Sequence, residues 1–364
     1  MTCTSIRLGA RIAAAVLALS LMPSPASGQV EGLTAAALIE PDLLPVPVVQ
    51  YVRVESSEQL WRLSMTGLTF GFEHQRPVRP RVRLVLSTEI TPARANASDR
   101  LYEWGRSADS SEFENRLFDL RLGFDYEMSE QWTTAVRLIG MANRVHDLSP
   151  DLQTYWSNPY SGLSIGQSFE RRTASDPFRG TFEGVRARAD AEIYLGQGTE
   201  TWARTRLSGE HARKYGRVRV SESGTLFHGE NLNVVNRFLV GSSWRVPGIH
   251  PLYGFRYAEF RIDHGVALNA AVDYELTDRM DIGLRASYLA GGFEKTKVRA
   301  QGVGLELGTT IRGIGVTLGA AVPSQRGALE DEMTFYAMLS TAVFLDVADV
   351  LDDLAGSVRR AAGH

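Results

Sequence analysis

The sequence predicts an all-β protein: an antiparallel, up-and-down transmembrane β-barrel of about 14 strands, followed by a short C-terminal helix. Three observations carry this. Apolar and polar residues alternate with period two from about residue 46 to residue 346, and the links between the alternating runs are short and long in turn. No stretch after the N-terminal segment reaches 18 consecutive apolar residues, which excludes membrane-crossing helices. At 44% apolar and 22% charged the chain is too polar for a helical membrane protein, but not for a barrel, where every second residue faces the lumen.

Residues 1–28 read as a secretory signal peptide. Arg7 and Arg11 form the positive region, Ile12 to Met22 the apolar run, and Ala26-Ser27-Gly28 the small-residue cleavage site before Gln29. Cleavage near Gly28 takes away two cations and no acid, moving the formal charge from −3 to about −5. A mildly acidic chain of this kind is no nucleic-acid binder by bulk charge. Cys3 is the only cysteine and leaves with the signal, so no disulfide is expected in the exported form. Residues 29–45, mixed and bounded by prolines, read as a short extension or a small plug entering the lumen.

The barrel itself is expected over 46–346. In 117–128, Phe118, Leu120, Leu122, Phe124, Tyr126 and Met128 share one face, opposite Asp119, Arg121, Gly123, Asp125 and Glu127. A helix would scatter those charges around its circumference, whereas a strand separates them. The same segregation recurs at 81–90, 184–195 and 265–276, and at 303–311 and 314–322 with glycine and threonine on the inner face. Between 60 and 74 the phase changes near Thr66-Gly67, which reads as a β-bulge. Short turns are expected near 75–79, 129–131, 197–200, 246–249, 277–279 and 312–313, and longer polar links near 92–114, 147–182, 214–231 and 323–332. The count is about 13 strands from residue 60. The run at 46–56 makes 14 and an even number, with 12 and 16 the other counts the boundaries allow.

Aromatic residues collect beside the turns: Tyr126 and Trp132, Tyr194 and Trp202, Trp244, and Tyr274. Such rings form girdles where hydrocarbon meets headgroup. A soluble sandwich also alternates, but these strands run 10–14 residues against the usual 5–6, with few polar interruptions outside. In 347–364 the spacing of Val347, Val350, Leu351, Leu354 and Val358, with Arg359 and Arg360 behind, predicts a short tail helix.

The phrases LGFDYEMSEQWTTAVRL (122–138) and AVDYELTDRMDIGLRASY (271–288) resemble the strand–turn–strand hairpins of Gram-negative outer-membrane β-barrels, the porins and transporters. The resemblance spans most of 46–346 and matches no particular subfamily. It implies residence in the bacterial outer membrane among its lipid and lipopolysaccharide, insertion by the barrel-assembly machinery, and short turns facing the periplasm. Many such barrels end on an aromatic residue. Here Phe344 in the candidate last strand (333–346) is followed by about 18 more residues in the tail.

Charges must then face the lumen, since arginine or lysine on the lipid face costs about 2–4 kcal/mol at the midplane. The lumen-lining candidates are Arg81, Arg83, Arg121, Arg137, Arg186, Arg188, Arg204, Arg206, Arg237, Arg285, Asp119, Asp190, Glu192 and Glu306. Two readings stand: a cationic wall guiding small polar or anionic solutes, or a ladder of ion pairs bracing the interior. The near balance of signs favours bracing for most. Arg186, Arg188, Arg204 and Arg206, on successive strands, are the candidate solute-contacting patch. The long link 147–182 holds Tyr155, Trp156 and Tyr160, rings suited to stacking on sugars in a constriction or a surface lid. Function is therefore expected to be a channel or transporter, with a non-conducting structural or surface-binding barrel as the alternative. An enzyme such as an outer-membrane lipid hydrolase is not expected. The seven histidines are dispersed, and no nucleophile motif, HExxH, phosphate loop, metal-ligand cluster or cofactor fingerprint appears.

Overall fold

The computed structural model of the chain describes residues 30–39, 46–54, 59–66, 69–91, 102–103, 106–107, 114–146, 159–176, 181–196, 201–232, 236–242, 249–255, 260–293, 296–311, 314–325 and 334–342. In chain order the strands are β1 Val30–Ile39, β2 Val46–Val54, β3 Leu60–Thr66, β4 Thr69–Arg79, β5 Val82–Thr91, β6 Tyr102–Glu103, β7 Arg106–Ser107, β8 Glu114–Glu127, β9 Trp132–His146, β10 Pro159–Asp176 and β11 Thr181–Leu195. They continue with β12 Thr201–Tyr215, β13 Val218–Glu230, β14 Phe238–Val240, β15 Ile249–His250, β16 Phe260–Ile262, β17 His264–Thr277, β18 Met280–Phe293, β19 Thr296–Ile311, β20 Ile314–Gln325 and β21 Thr334–Ala342.

Sixteen of these form one closed antiparallel barrel, each paired with its neighbours in sequence, and β1 closes on β21 from Thr34↔Ala342 to Ile39↔Ala337. Sixteen is the upper end of the expected range. β10 and β13, inside expected loops, offset the two wall strands expected within 231–263, and the net gain comes from two other places. Val30–Ile39, expected as an extension or plug, is a wall strand. The Thr66-Gly67 phase change is a hairpin and not a bulge: Thr66 pairs with Thr69, so the polarity inverts because the chain reverses.

Following the strands around the barrel sorts the connections onto two ends. One end has only short links, 55–59, 80–81, 128–131, 177–180, 216–217, 278–279 and 312–313. The other carries 92–113, 147–158, 231–263 and 326–333 among shorter ones. These are called the short-turn end and the long-loop end. The link expected at 197–200 lies at the long-loop end. The expected loops 147–182 and 214–231 are largely wall, because β10 runs 18 residues and β12 meets β13 at a two-residue turn.

The alternation sorts side chains as period two requires. Outside, Phe118, Leu120, Leu122, Phe124, Val136, Leu138, Leu284, Leu305 and Phe335 are exposed in a continuous apolar surface, Leu138 to 65%. Tyr126, Trp132 and Tyr274 stand outside at the short-turn end, where Trp132 packs on Phe169 at 4.9 Å, as a girdle demands. Polar pairs also stand on the outer face: His211 and Glu222, 3.2 Å apart on β12 and β13, and His228 and Glu230, 3.6 Å apart on β13 nearer the long-loop end. Tyr194 and Trp202 are not girdle residues. Both are buried and stacked at 3.7 Å inside the lumen. The signal segment 1–28, the tail 347–364, Trp244 and Phe344 lie outside the described residues.

Candidate functional site

The lumen is filled in two ways. Along β8–β12 it is filled by charge. Arg121 grips Asp119 with two bonds, Nε to Oδ1 at 2.9 Å and Nη2 to Oδ2 at 3.0 Å, and gives Nη1 to Glu192 at 2.7 Å. Arg121 is on β8 and Glu192 on β11, so this bond passes over two strands. Gly162, Ser164 and Gly166, on the inner face of β10, leave the room. Arg204 donates to the second oxygen of Glu192 at 2.5 Å, and the Tyr194 hydroxyl donates to the same oxygen at 3.1 Å. The Arg204 guanidinium also lies over the Trp202 ring at 5.6 Å. A carboxylate held by two arginines and a phenol is the fully satisfied arrangement that a part-buried acid needs.

Nearer the short turns the ladder continues. Asp190 receives Arg188 at 2.8 Å and Arg206 at 3.3 Å, Glu210 receives Arg186 at 2.5 Å, Arg137 meets Asp125 at 2.5 Å, and Arg83 meets Glu127 at 2.9 Å. Farther round the wall, past β13, Arg285 bridges Asp273 at 2.6 Å and Glu306 at 2.7 Å, while the Tyr336 hydroxyl donates to Glu306 at 2.6 Å.

The second filling is backbone. Residues 231–263, which leave β13 and return to β17, fold back into the barrel from the long-loop end. There β14 pairs with β15 in parallel and with β16 antiparallel. Val240, Ser242, Leu252 and Ile262 are 0% exposed, and Phe255 and Phe260 2%. All of these but Ser242 form an apolar cluster with Phe227, Ala267, Leu289, Val298 and Ala300 of the wall. The segment is pinned at several points. The Asn269 amide donates to His250 Nε2 at 3.0 Å and to the Pro251 carbonyl at 3.2 Å, and the Ser287 hydroxyl to the Tyr253 carbonyl at 3.3 Å. The Asp263 amide donates to the Gly292 carbonyl at 2.8 Å. Arg237 places Nε 2.9 Å from Asp263 Oδ1, too bent for a linear hydrogen bond, with its guanidinium 4.5 Å from the centre of the Phe293 ring. Gly254, at φ 87°, lies flat against Val322 and Pro323 of β20.

With this geometry in view, the relatives are structural ones only. No protein-family model matches the chain, and no curated protein matches it. Among solved structures, BamA from Haemophilus ducreyi lacking POTRA domains 1–3 superposes with a TM-score of 0.60 at 9% identity, covering 86% of this chain and 70% of that one. CdiB from Escherichia coli gives 0.58 at 14% identity, covering 88% and 64%. CdiB from Acinetobacter baumannii gives 0.57 at 10% identity, covering 88% and 61%. This chain has the outer-membrane β-barrel fold. It spans less than two thirds of the length of either CdiB chain.

Most expected lumen residues of this barrel face inward: Arg83, Arg121, Arg137, Arg186, Arg188, Arg204, Arg206, Arg285, Asp119, Asp190, Glu192 and Glu306. Two do not line the wall. Arg81 sits in the exposed turn between β4 and β5 with φ 66°, and Arg237 belongs to the folded-in segment. Of the candidate loop aromatics, Tyr160 is a buried wall residue edge-on to Trp202 at 6.0 Å, while Tyr155 and Trp156 lie outside the described residues. The four arginines proposed as a patch each have an acidic partner, so among the described residues they form no bare cationic strip.

The sequence predicts a short turn near 246–249 between wall strands, but the described strands of 231–263 form a separate three-stranded sheet instead. Its apolar residues mimic wall strands, but they are buried against the lumen. The signal against a hairpin was present: Pro247 and Pro251 would each remove a ladder donor from a central strand, and Gly241 and Gly254 take positive φ.

Proposed function

We propose that this chain is an outer-membrane channel or transporter that is closed at rest by its own segment 231–263, with small polar solutes passing when that segment leaves the β17–β20 wall. The short-turn end is then periplasmic and the long-loop end external, as the length rule for such barrels has it. The observation that carries the reading is the burial of Val240, Leu252, Phe255, Phe260 and Ile262 inside a closed barrel. A sixteen-stranded cylinder is wider than wall side chains can fill, so whatever else occupies the lumen controls passage. The paired arginines speak for a passage without strong anion preference, since each guanidinium already faces a carboxylate.

Single-channel recording on the refolded full chain tests this against a variant in which residues 233–261 are replaced by a two-residue Asn-Gly turn. Wild type is expected to be mostly closed with brief openings, and the variant steadily open at a larger conductance. A wild type that stays open at the variant's conductance overturns the gating role of the segment. A wild type that never opens at any voltage, beside an open variant, supports the non-conducting alternative, in which the segment is a permanent stopper.

A further inference from the structure

The short-turn rim carries a second site with chemistry of its own. Residues 76–83 read Arg-Pro-Val-Arg-Pro-Arg-Val-Arg, four guanidiniums in eight residues at the hairpin joining β4 to β5. Arg83 turns inward to Glu127. The other three do not. Arg76 lies opposite Leu84, on the lipid-facing side of the wall. The pairing register slips between Pro77 and Arg79, which sets Arg79 opposite Val82 and so returns it to that same outer side. Val82 in turn lies opposite Tyr126 of the aromatic girdle. Arg81 holds the tip, and the turn and Glu127 surround a concavity of about 320 Å³.

Two features separate this cluster from an ordinary solvated turn. Arg76, Arg79 and Arg81 are exposed and have no ion-pair partner among the described residues, where the lumen arginines are paired almost throughout. The prolines at 77 and 80 restrict the backbone, so the hairpin presents the three cations from one short, stiffened segment. Arg76 and Arg79 on the outer side, beside a girdle tyrosine at the edge of an apolar band, with Arg81 at the exposed tip, suit a phosphate anchored by acyl chains. We propose that this rim binds the phosphate of an anionic phospholipid in the leaflet at the short-turn end. The proposal rests on the membrane reading above.

Native mass spectrometry of the full chain in detergent, with phosphatidylglycerol and phosphatidylethanolamine supplied equally, tests it. Wild type should retain phosphatidylglycerol over phosphatidylethanolamine roughly tenfold, and Arg76→Gln/Arg79→Gln/Arg81→Gln should lose that preference. The triple lysine variant keeps the charge without the fork and should fall between the two. Equal retention of both lipids by wild type, or unchanged phosphatidylglycerol binding by the glutamine variant, overturns the site. Soluble glycerol phosphate binding as tightly as phosphatidylglycerol overturns the lipid assignment in favour of a free phosphate. Liposome flotation and the heat-shifted gel band of the folded barrel, run on the same samples, separate the two levels. A chain that fails to insert sinks the membrane reading, whereas one that inserts without lipid preference sinks only this site. Should the triple variant fail to fold, single Arg79→Gln is read the same way, with a loss of roughly fivefold expected.

Discussion

The β8–β12 arc and the β17–β20 arc solve the same problem differently. Both must occupy the inside of a cylinder wider than ordinary side chains can fill. The first does it with long charged side chains that meet over small ones, as Arg121 meets Glu192 above Gly162 and Ser164. The second presents Ala267, Ala300, Gly302 and Ala321 near the long-loop end, leaving space that segment 231–263 occupies. A ladder of wall residues cannot leave without disrupting the wall. A folded-in segment can. On the function proposed above, the difference assigns barrel stability to the charged arc and gating to the small-residue arc, and each assignment is open to a separate break.

The largest effect is expected at the centre of the charged arc. Glu192→Ala leaves Arg121 without its cross-lumen partner and Arg204 without its carboxylate contact. Removing one member of a buried ion network costs about 3–5 kcal/mol. The urea unfolding midpoint of the barrel should drop accordingly, with protease cleavage inside 231–263 unchanged below the transition. A variant that unfolds at the wild-type midpoint would show that water already screens this network.

The small-residue arc should respond in the opposite sense. A Cβ added at Gly302 lands on the Tyr253 carbonyl, with the carbonyl carbon at 2.8 Å and Ser287 Oγ at 3.3 Å. The segment can yield only by giving up the Ser287 and Asn269 bonds. Overpacking of this kind costs about 1–3 kcal/mol, so Gly302→Leu should raise the population of the released segment roughly tenfold to hundredfold. Limited proteolysis within 231–263 and channel opening report it, while the barrel's unfolding midpoint stays close to wild type. If midpoint and cleavage move together, wall and segment are one cooperative unit and the division between the arcs fails.

How far these arcs were legible in the sequence differs in the same way. The charged arc was legible because lipid on one side and charge on the other force period two; β8 and β11 fall where 117–128 and 184–195 place them. Parity was enough even for the residues misassigned. Tyr194 shares its face with Glu192, and Trp202 shares its face with Arg204, so both had to point inward whatever their nearness to a turn. The folded-in segment was not legible as such, because Phe238, Val240, Phe260 and Ile262 satisfy a strand pattern equally well whether they cover lipid or wall. Only the prolines and glycines argued otherwise. Val30–Ile39 failed for the converse reason: with Thr34-Ala35-Ala36-Ala37 at its centre it has no polar face to alternate, and its place is set by β2 and β21.

The smallest effect is expected at the wet edge of the charged arc, and it tests where water enters. The Arg188 side chain is 62% exposed within the lumen, and its partner Asp190 keeps Arg206 at 3.3 Å when Arg188 is removed. An exposed pair with a spare cation contributes little, so Arg188→Ala should change barrel stability by less than about 1 kcal/mol and should weaken further in high salt. A loss of the size expected for Glu192→Ala would mean that this level of the lumen is dry, and that the charged arc, rather than segment 231–263 alone, closes the passage.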